Sequence, residues 1–475
     1  MVEVTDGIIA HLGITPEDFV LYRRESPLSS NDVIISTHAR KNDVQKAFKV
    51  ACDSLSELRS ISLMQRIKVV RNAAALLKDN LEELAQIVRL ETGKPISMSR
   101  QECQVAIDFM NSISGSITFD IGTVIPSSTN KLAFTRIVPK GIAGLIVSFN
   151  TPVPNYAWKL IPSYLAGNAS ILKPSPYTPK SALYFAHQLL ASGAHPGSIF
   201  VIQGDGTTGS LINKLPVDLM SFTGSSSTAE KIVFEGTNFT RKLIMELGGN
   251  NPLIVCEDAR LDSAVQACIQ AAFSNSGQRC ASGSRIYLQK QIADQFKDKL
   301  YSELSTLKIG INPDVFMGPL IDSSAVDNYQ DYVSQVNSKA DKVFKFGQVN
   351  GAADWLVPMT VIEFSELDNP LIHEEVFAPI LRIAIFENDD EVIASVNKSK
   401  YGLTAAVWTE SFRRFFTFAD SISSGVCNMN GPTHGSEFQF PFGGTKSSGN
   451  GLKEVGENCV ETYGETQFIS LDRSI

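Results

Sequence analysis

One cysteine stands in a stretch whose residue types could support chemistry. Cys280 follows the small and polar run Phe-Ser-Asn-Ser-Gly-Gln-Arg at residues 273–279. A cysteine that serves only as a hydrophobe is usually buried in an apolar element and chemically inert. Beside Gly277, backbone amides can approach the sulfur, which suits a nucleophile. The stretch alone leaves both interpretations open, because a lone cysteine proves little without its partners.

Other reactive side chains follow short apolar segments that are predicted to be buried strands. Asn150 comes after the first segment, Lys173 ends the second, Phe222 ends the fourth and Glu246 ends the fifth. Ligands of open α/β sheets bind beyond the carboxyl ends of the strands. The helix that follows Phe222 presents an amide end that suits a phosphate. Taken singly, each residue also has a plain interpretation as a turn, capping or solvated side chain.

The order of the predicted elements indicates an α/β fold with a doubly wound, Rossmann-like sheet. Helices follow most strands, including 179–191 and 226–234, and alternating units of this kind imply a parallel sheet covered on both faces. A second α/β series is predicted from residue 252 to about 440 and contains Cys280. Helices are also expected at 42–60, 63–90, 97–112 and 259–272, and strands at 142–149, 169–173, 198–202, 219–222, 243–246 and 252–255.

Residues 116–138 are predicted to form a β-hairpin around a turn at 126–130. A hairpin leaves backbone edges unpaired, so it needs a partner sheet. We expect one edge to pair with the extended C-terminal segment at 462–471 and the other with a neighbouring subunit. The alternating apolar and polar positions are Ile117, Phe119, Ile121, Val124, Leu132, Phe134, Arg136 and Val138.

Composition limits the function classes. The 475 residues are enough for two or three domains, and the net charge of −8 argues against a nucleic-acid partner. The seven cysteines are scattered and never in CxxC spacing, so neither a disulfide framework nor a zinc site is expected. The N-terminus shows no signal peptide, and no apolar run approaches the ~20 residues that span a bilayer. We predict a soluble cytoplasmic protein without a membrane partner.

Seven motifs in a fixed order together resemble the aldehyde dehydrogenase superfamily, from roughly residue 20 to residue 470. Any single motif would be a weak signal, whereas seven with family-like spacing are specific. The motifs are Ser-Phe-Asn-Thr-Pro at 148–152, Lys-Pro-Ser at 173–175, Phe-Thr-Gly-Ser at 222–225, Glu-Leu-Gly-Gly-Asn at 246–250, Ser-Gly-Gln-Arg-Cys at 276–280, Glu-Val-Phe-Ala-Pro at 375–379 and Pro-Phe-Gly-Gly-Thr-Lys at 441–446.

The resemblance implies a covalent mechanism. Cys280 as thiolate would attack an aldehyde, and the side-chain amide of Asn150 with the Cys280 N–H would hold the resulting oxyanion. After hydride transfer to a nicotinamide, Glu246 would activate the water that hydrolyses the thioester. The thiol must have its pKa lowered or be deprotonated, and Glu246 or Lys159 could assist.

The resemblance also implies NAD or NADP as cofactor. Many NAD-dependent members carry a glutamate where this chain has Pro176, and Ala229 stands where a glycine is common. Without the glutamate, Lys173 and Ser175 could take a 2′-phosphate, so the choice between NAD and NADP stays open. The implied cofactor contacts are Ser148, Phe149, Lys173, Ser175, Pro176, Gly204, Phe222, Thr223, Gly224, Ser225, Leu247, Gly248, Glu375 and Phe377.

The substrate entrance has a polar character. Arg279 precedes the nucleophile, and in some relatives such an arginine faces a phosphate or carboxylate of the substrate. We therefore expect a small polar or anionic aldehyde such as a semialdehyde; alternatively Arg279 turns away into an internal ion pair and the substrate is aliphatic or aromatic. Trp158 either lines the tunnel or packs its helix on the sheet. The implied substrate contacts are Thr151, Asn155, Trp158, Arg279 and Ala281.

Two other functions compete with hydrolytic oxidation. In the CoA-acylating branch CoA accepts the acyl group, but its members commonly lack the glutamate that is present here as Glu246. A retired enzyme kept as a binding protein would be expected to have lost Cys280, Asn150 or Glu246, and all three are intact.

A three-part division of the chain follows from the predicted elements and the resemblance. Residues 1–115 and 139–247 would form the dinucleotide-binding domain, 248–440 the catalytic domain, and 116–138 with 455–475 an oligomerisation flap. We expect a homodimer or homotetramer.

Overall fold

Two β-sheets, each covered by apolar clusters, organise the molecule. The computed structural model describes residues 20–117, 122–336, 342–435 and 437–473. On the first sheet, Ala143 and Leu145 belong to one hydrophobic cluster, whereas Ile142 and Ile146 belong to another. The side chains of a strand alternate between its two faces, so both faces of this sheet are buried. This is the mixed α/β architecture that the sequence predicts.

The helices match the predicted segments closely, and one break within a predicted helix was not foreseen. Residues 63–90 were expected to be one helix, but Asn80, with φ −113° and ψ 24°, separates two. Within the described residues, no helix combines the length and apolar character needed to cross a membrane. The helices are α1 (Lys41–Ser60), α2 (Leu63–Asp79), α3 (Leu81–Thr92), α4 (Ile96–Ser116), α5 (Pro152–Ala166), α6 (Pro179–Ala191), α7 (Gly206–Asn213), α8 (Ser226–Glu235), α9 (Leu261–Phe273), α10 (Ala293–Leu304), α11 (Ser323–Val336), α12 (Asp389–Lys398), α13 (Phe412–Ser421) and α14 (Cys459–Tyr463).

The first sheet has five parallel strands in the order β7-β6-β5-β8-β9. The order reverses next to β5, and a crevice at such a switch point is where doubly wound folds bind ligands. The strands are β5 (Ile142–Ile146), β6 (Ala169–Lys173), β7 (Ile199–Val201), β8 (Leu219–Thr223) and β9 (Lys242–Glu246).

The second sheet has seven strands in the order β13-β15-β16-β11-β10-β18-β19. All its pairings are parallel except that of the edge strand β13 with β15. The strands are β10 (Pro252–Val255), β11 (Arg285–Gln289), β13 (Lys342–Phe346), β15 (Met359–Glu363), β16 (Ile380–Phe386), β18 (Thr404–Trp408) and β19 (Val426–Met429).

Three two-stranded pairs complete this part of the fold. The first is an N-terminal hairpin at residues 20–38, a range for which no element was predicted from the sequence. Along β2 the exposed Val33 and Ile35 alternate with the buried Ile34 and Ser36, and the local sequence signal is the β-branched run Val-Ile-Ile at 33–35. The pairs are β1 (Val20–Ser26) with β2 (Ser29–His38), β12 (Lys308–Gly310) with β14 (Gln348–Asn350), and β17 (Tyr401–Gly402) with β20 (Thr445–Lys446).

A three-stranded sheet of β21 (Gly464–Asp472), β4 (Lys131–Pro139) and β3 (Val124–Ile125) contains the predicted hairpin. Pairing of the C-terminal segment with β4 is confirmed and runs antiparallel along the full length of both strands. The hairpin is shorter than predicted, because Ser116 ends α4, and the predicted strand positions Phe119 and Ile121 lie outside the described residues.

Candidate active site

Three of the predicted catalytic side chains line one cavity. Asn150, Glu246 and Cys280 all face a space of about 980 Å³, although they are far apart in the sequence. Asn150 lies in the turn between β5 and α5, Glu246 ends β9, and Cys280 follows α9. The first two therefore lie at the carboxyl end of the first sheet, where ligands of such folds bind.

The backbone before Cys280 adopts an uncommon conformation. Asn275 has φ 54°, Ser276 φ 57° and Gly277 φ 68°, so three successive residues are left-handed. A Cβ at Gly277 would lie 2.2 Å from the carbonyl oxygen of Ala378. Only glycine fits such a close backbone approach, and the two non-glycine residues carry a conformational cost that the surroundings must offset.

Side chains bonded to backbone groups hold this conformation. Ser276 Oγ donates to the carbonyl of Gly318 at 2.8 Å, and Gln278 Oε1 accepts from the N–H of Ile321 at 3.1 Å. Asn251 Nδ2 donates to the carbonyl of Cys280 itself at 2.7 Å. The nucleophile is thus fixed from both sides, which satisfies the positioning requirement for attack on a bound carbonyl.

Burial and two nearby carboxylates raise the pKa of the Cys280 thiol to about 12, the carboxylates being those of Glu246 and Glu375. In the cavity without a ligand the cysteine is therefore a thiol at neutral pH. Of the two routes foreseen from the sequence, deprotonation by a base fits this environment and a lowered pKa does not.

Glu246 carries a buried carboxyl group whose surroundings raise its pKa. Neither of its oxygens has a hydrogen-bond partner in the described part of the chain. Burial, then the charge of Glu454, raises its pKa well above the ordinary value, while Lys159 and Lys453 act in the opposite direction. Such a carboxyl group stays protonated to higher pH than an ordinary glutamate, and it can act as a base once it has ionised.

Lys159 lies behind the cavity wall. Its ammonium group is fully buried, forms an ion pair with Glu454 and donates to Ser221 Oγ at 2.9 Å. It is not among the residues that line the cavity. Lys159 can therefore act on the chemistry through its charge, which favours ionised Glu246, rather than by contact.

The predicted cofactor residues surround the crevice beside β5. Lys173 Nζ is buried and donates to the carbonyl of Pro174 at 3.0 Å, and burial lowers its pKa to about 8 while the charge of Asp205 opposes that shift. Ser225 caps α8 by accepting from the N–H of Thr228 at 3.3 Å. The free amides of this helix end suit a pyrophosphate.

The segment that leads into β16 contains the residues predicted to contact the nicotinamide end of the cofactor. Glu375 Oε1 accepts from the N–H of Gly249 at 2.9 Å, and burial raises the pKa of its carboxyl group. Phe377 has φ 57° and packs edge-to-face on Phe149 with 6.1 Å between ring centroids. A Cβ at Gly248 would strike the Glu375 carboxylate, so the backbone approaches it closely. These residues fit a bound dinucleotide.

Of all the predicted cofactor residues, two line the cavity and the others lie outside its wall. Thr223 and Leu247 line the cavity. Ser175 Oγ accepts from Tyr177 N at 3.3 Å, and the Phe222 ring lies where a Cβ at Gly224 would be. Ser148, Phe149, Lys173, Ser175, Pro176, Gly204, Phe222, Gly224, Ser225, Gly248, Glu375 and Phe377 are not among the lining residues.

Comparison with known proteins identifies the family of the chain. The model of the aldehyde dehydrogenase family matches residues 18–469. The chain belongs to the aldehyde dehydrogenase family.

Solved structures of other family members superpose over nearly the whole chain. An NAD-dependent aldehyde dehydrogenase from Sinorhizobium meliloti gives a TM-score of 0.91 at 27% identity, covering 96% of this chain and 92% of that one. Betaine aldehyde dehydrogenase from Staphylococcus aureus in complex with NAD+ gives 0.90 at 27%, covering 96% and 92%. An NADP-dependent enzyme from E. coli gives 0.90 at 27%, covering 95% of each chain. The similar enzymes are thus NAD- or NADP-dependent.

In this aldehyde dehydrogenase all five predicted substrate residues line the cavity. Thr151, Asn155, Trp158, Arg279 and Ala281 contribute to its wall. Trp158 is also partly buried against the core, so its two predicted roles are compatible. Among the described residues Arg279 forms no ion pair within 4.0 Å, and its Nε has no hydrogen-bond partner. The guanidinium is therefore available to a ligand.

Sequence reasoning missed much of the cavity wall of this aldehyde dehydrogenase. Lys94 was not predicted to be a site residue, yet it lines the cavity and is paired with Glu102. Burial, then the charge of Arg279, lowers the pKa of His434 to about 3, so this lining residue is neutral. The other lining residues outside the prediction include Gln101, Gln266, Gln270, Phe438, Gln439 and Glu454. Their spacing carries no signal, because they come from separate elements that meet only in the fold.

Replacing Gly277 with alanine tests the dependence of catalysis on the strained loop. The added Cβ must enter a left-handed position 2.2 Å from the Ala378 carbonyl, so the loop and Cys280 shift. We expect kcat/KM to fall at least about 100-fold, since small displacements of a reacting group have effects of that size. Gly115→Ala is the matched control, because nothing lies within 4 Å of its new Cβ. Equal activity of the two variants would contradict the prediction; circular dichroism monitors the fold.

Proposed function

We propose that this enzyme oxidises an aldehyde to a carboxylic acid through a covalent thioester on Cys280, with water as the acyl acceptor. The supporting observation is that Cys280, Asn150 and Glu246 line one cavity, next to the crevice that Lys173, Ser225 and the segment from Glu375 to Phe377 provide for a dinucleotide. The residues required for attack, oxyanion stabilisation and hydrolysis are thus brought within one space.

In the proposed first half-reaction, Glu246 takes the proton of the Cys280 thiol. The sulfur then forms a bond to the aldehyde carbon, and the carbonyl π electrons move to oxygen. Asn150 Nδ2 and the backbone N–H of Cys280 donate to that oxyanion, a type of donor whose removal typically costs ~2.7–4 kcal/mol of barrier. Burial raises the pKa of both groups, so each ionises less readily here than in water.

Bound NAD or NADP supplies the acceptor for the hydride that leaves the thiohemiacetal carbon. Lys173, Ser225, Glu375 and Phe377 would hold it. The oxyanion then collapses to a thioester on Cys280. Glu246 first releases the proton of Cys280 to solvent; its carboxylate then takes a proton from water, the hydroxide adds to the acyl carbon, and the carbon–sulfur bond breaks as Glu246 returns that proton to sulfur. The charge of Lys159 favours the ionised carboxylate that this step requires.

Two variants separate the half-reactions. Cys280→Ala is expected to abolish formation of reduced cofactor. Glu246→Gln is expected to slow the first burst, because the thiol loses its base, and to stop after about one equivalent per site, because an acyl-enzyme accumulates. Absorbance of the reduced nicotinamide in a stopped-flow instrument records both. Cys52→Ala, which alters an exposed thiol outside the cavity wall, is the control. Turnover by Cys280→Ala would overturn the mechanism.

The rate of thioester hydrolysis is expected to depend on pH in one direction. Because the pKa of Glu246 is raised, the base is protonated below that pKa and active above it, so thioester hydrolysis should accelerate as pH rises. In Glu246→Gln the residual hydrolysis should lose this dependence. Product formation without CoA distinguishes the reaction from CoA-dependent acylation.

We further propose that the substrate is a small polar or anionic aldehyde, such as a semialdehyde. Arg279 supports this assignment, because it lines the cavity next to Cys280 and has no ion pair among the described residues. The amide side chains of Gln101, Gln266 and Gln270 add hydrogen-bonding groups to the wall. Removing a guanidinium from water without an ion-pair partner costs free energy. An anionic group of the substrate would supply that partner and offset the cost.

Arg279→Ala should discriminate between substrates. A hydrogen bond to a charged group contributes ~1.5–3 kcal/mol, so kcat/KM for a semialdehyde is expected to fall roughly 10- to 100-fold. For a neutral aldehyde of equal chain length the change should stay within about 3-fold, since no such bond is lost. Equal loss on both substrates would favour the aliphatic or aromatic alternative.

We propose that cofactor choice depends on the charges at Lys173 and Asp205. Pro176 leaves no carboxylate directly after Ser175, but the Asp205 carboxylate acts on Lys173 and is fixed by bonds from the N–H groups of Thr207 and Thr208 at 2.8 and 3.3 Å. A 2′-phosphate beside Lys173 would be repelled by that charge.

Asp205→Asn is therefore expected to tighten NADPH binding about 2- to 5-fold, while NADH binding changes less. A change of this size corresponds to the free energy of a partly exposed pair of charges. Fluorescence titration of the reduced cofactors measures both dissociation constants without turnover. Asp79→Asn, on the exposed end of α2, is the control. Equal shifts for NADH and NADPH would place Asp205 away from the 2′ position.

We propose the same three-part division of the chain, with assembly into a homodimer or homotetramer. Exposed apolar side chains on the three-stranded sheet support it: Val124, Ile125, Phe468 and Leu471. Both outer edges of that sheet, β21 and β3, lack a strand partner among the described residues. The seven cysteines are all free thiols, which supports the proposed cytoplasmic location.

A further inference from the structure

The two ends of the Asn150 side-chain amide have different surroundings. Ser148 Oγ donates to Asn150 Oδ1 at 2.6 Å. Asn155 Nδ2 in turn donates to Ser148 Oγ at 3.3 Å, which directs the single hydroxyl proton of Ser148 towards Asn150. Among the described residues no hydrogen bond is recorded from Asn150 Nδ2. The carbonyl end of the amide is therefore fixed by Ser148, and the N–H₂ end is free to face the cavity.

The main chain of Asn150 is also fixed, by a side chain from the nucleophile loop. Asn275 Nδ2 donates to the carbonyl of Asn150 at 3.0 Å and to the carbonyl of Gln278 at 3.2 Å. Gln278 lies two residues before Cys280, whose N–H is the second proposed donor to the oxyanion. One amide group therefore links the two segments that carry the two donors.

A buried ion pair supports the same turn. Lys94 Nζ donates to the carbonyl of Asn150 at 2.8 Å and is paired with Glu102 Oε2. The other oxygen, Glu102 Oε1, accepts from the N–H of Val153 at 3.1 Å. The pair thus holds the main chain at the Asn150 carbonyl and at Val153, three residues further on. A buried pair with its remaining hydrogen-bonding groups satisfied is well suited to fixing one conformation.

We infer that Ser148 is a positioning residue of the oxyanion hole and that Asn275 sets the separation of its two donors. Ser148 keeps the amide of Asn150 in the rotamer that presents Nδ2 to the substrate oxygen. Without the hydroxyl, the amide can rotate and present Oδ1, which repels an oxyanion. The inference rests on the proposed function, because it assigns these residues to the stabilisation of the intermediate on Cys280. Preorganised donors of this kind avoid reorganisation during reaction.

Ser148→Ala in the full-length enzyme tests the inference. The rate of the first hydride-transfer burst is expected to fall roughly 10- to 100-fold, less than the 10²–10³-fold loss typical when a donor is deleted. Ser148→Thr, which keeps the hydroxyl, should recover most of the rate. Alkylation of Cys280 by iodoacetamide should keep its wild-type rate, because the nucleophile is unaltered. Ser163→Ala is the matched control: it removes a buried hydroxyl bonded to Ser170 at 2.9 Å, outside the cavity wall.

A double-mutant cycle distinguishes positioning from a general structural effect. If Ser148 acts only through Asn150, Ser148→Ala combined with Asn150→Ala should be no slower than Asn150→Ala alone. Additive losses, or a wild-type burst rate in Ser148→Ala, would overturn the inference. Should Ser148→Ala not fold, the nearly isosteric Ser148→Cys, a weaker donor, takes its place with the same expected direction. Failure of the proposed function is separate, because it appears as undiminished turnover by Cys280→Ala.

Discussion

The left-handed run at residues 275–277 is the constraint on which the proposed catalytic centre depends. Asn275 and Ser276 hold φ values that non-glycine residues rarely adopt, and Gly277 packs against the Ala378 carbonyl without room for a Cβ. Each strained non-glycine residue costs of order 1–3 kcal/mol and persists only where its surroundings over-determine it. The hydrogen bonds that Ser276 donates and Gln278 accepts hold the run in this conformation.

The contact between Gly277 and Ala378 joins the loop before Cys280 to the segment before β16. Ala378 precedes β16 and follows the segment with Glu375 and Phe377, which is proposed to hold the nicotinamide end of the cofactor. A shift of this segment would therefore move the nucleophile and the cofactor contacts together. Rigid packing of this kind favours a single arrangement of the reacting groups, which is the requirement for preorganised catalysis.

Burial governs the electrostatics of the cavity. Lys159 with Glu454 and Lys94 with Glu102 are paired, so their charges are compensated inside the protein. Glu246 and Cys280 have no such partner, and burial raises the pKa of both. The two groups proposed to exchange a proton are thus the ones that ionise less readily than they would in water. Arg279 is the exception, a charged group without an ion pair among the described residues, and it is the feature that points to an anionic substrate.

The sequence by itself determined the family and the α/β class and predicted the reactive residues, because these depend on local patterns and on motifs in order. Strand ends at Lys173 and Glu246 were found to the residue, since buried apolar runs and the polar residues that end them are local signals. The hairpin of β1 and β2 was missed, although exposed and buried side chains alternate along β2. The break at Asn80 has no strong local signal. Only the tertiary structure decided that Ser148, Asn275 and Lys94 converge on Asn150, that Lys159 lies behind the wall, and that Arg279 has no ion pair. Those facts depend on which distant segments meet, and on how deeply each charge is buried once they do.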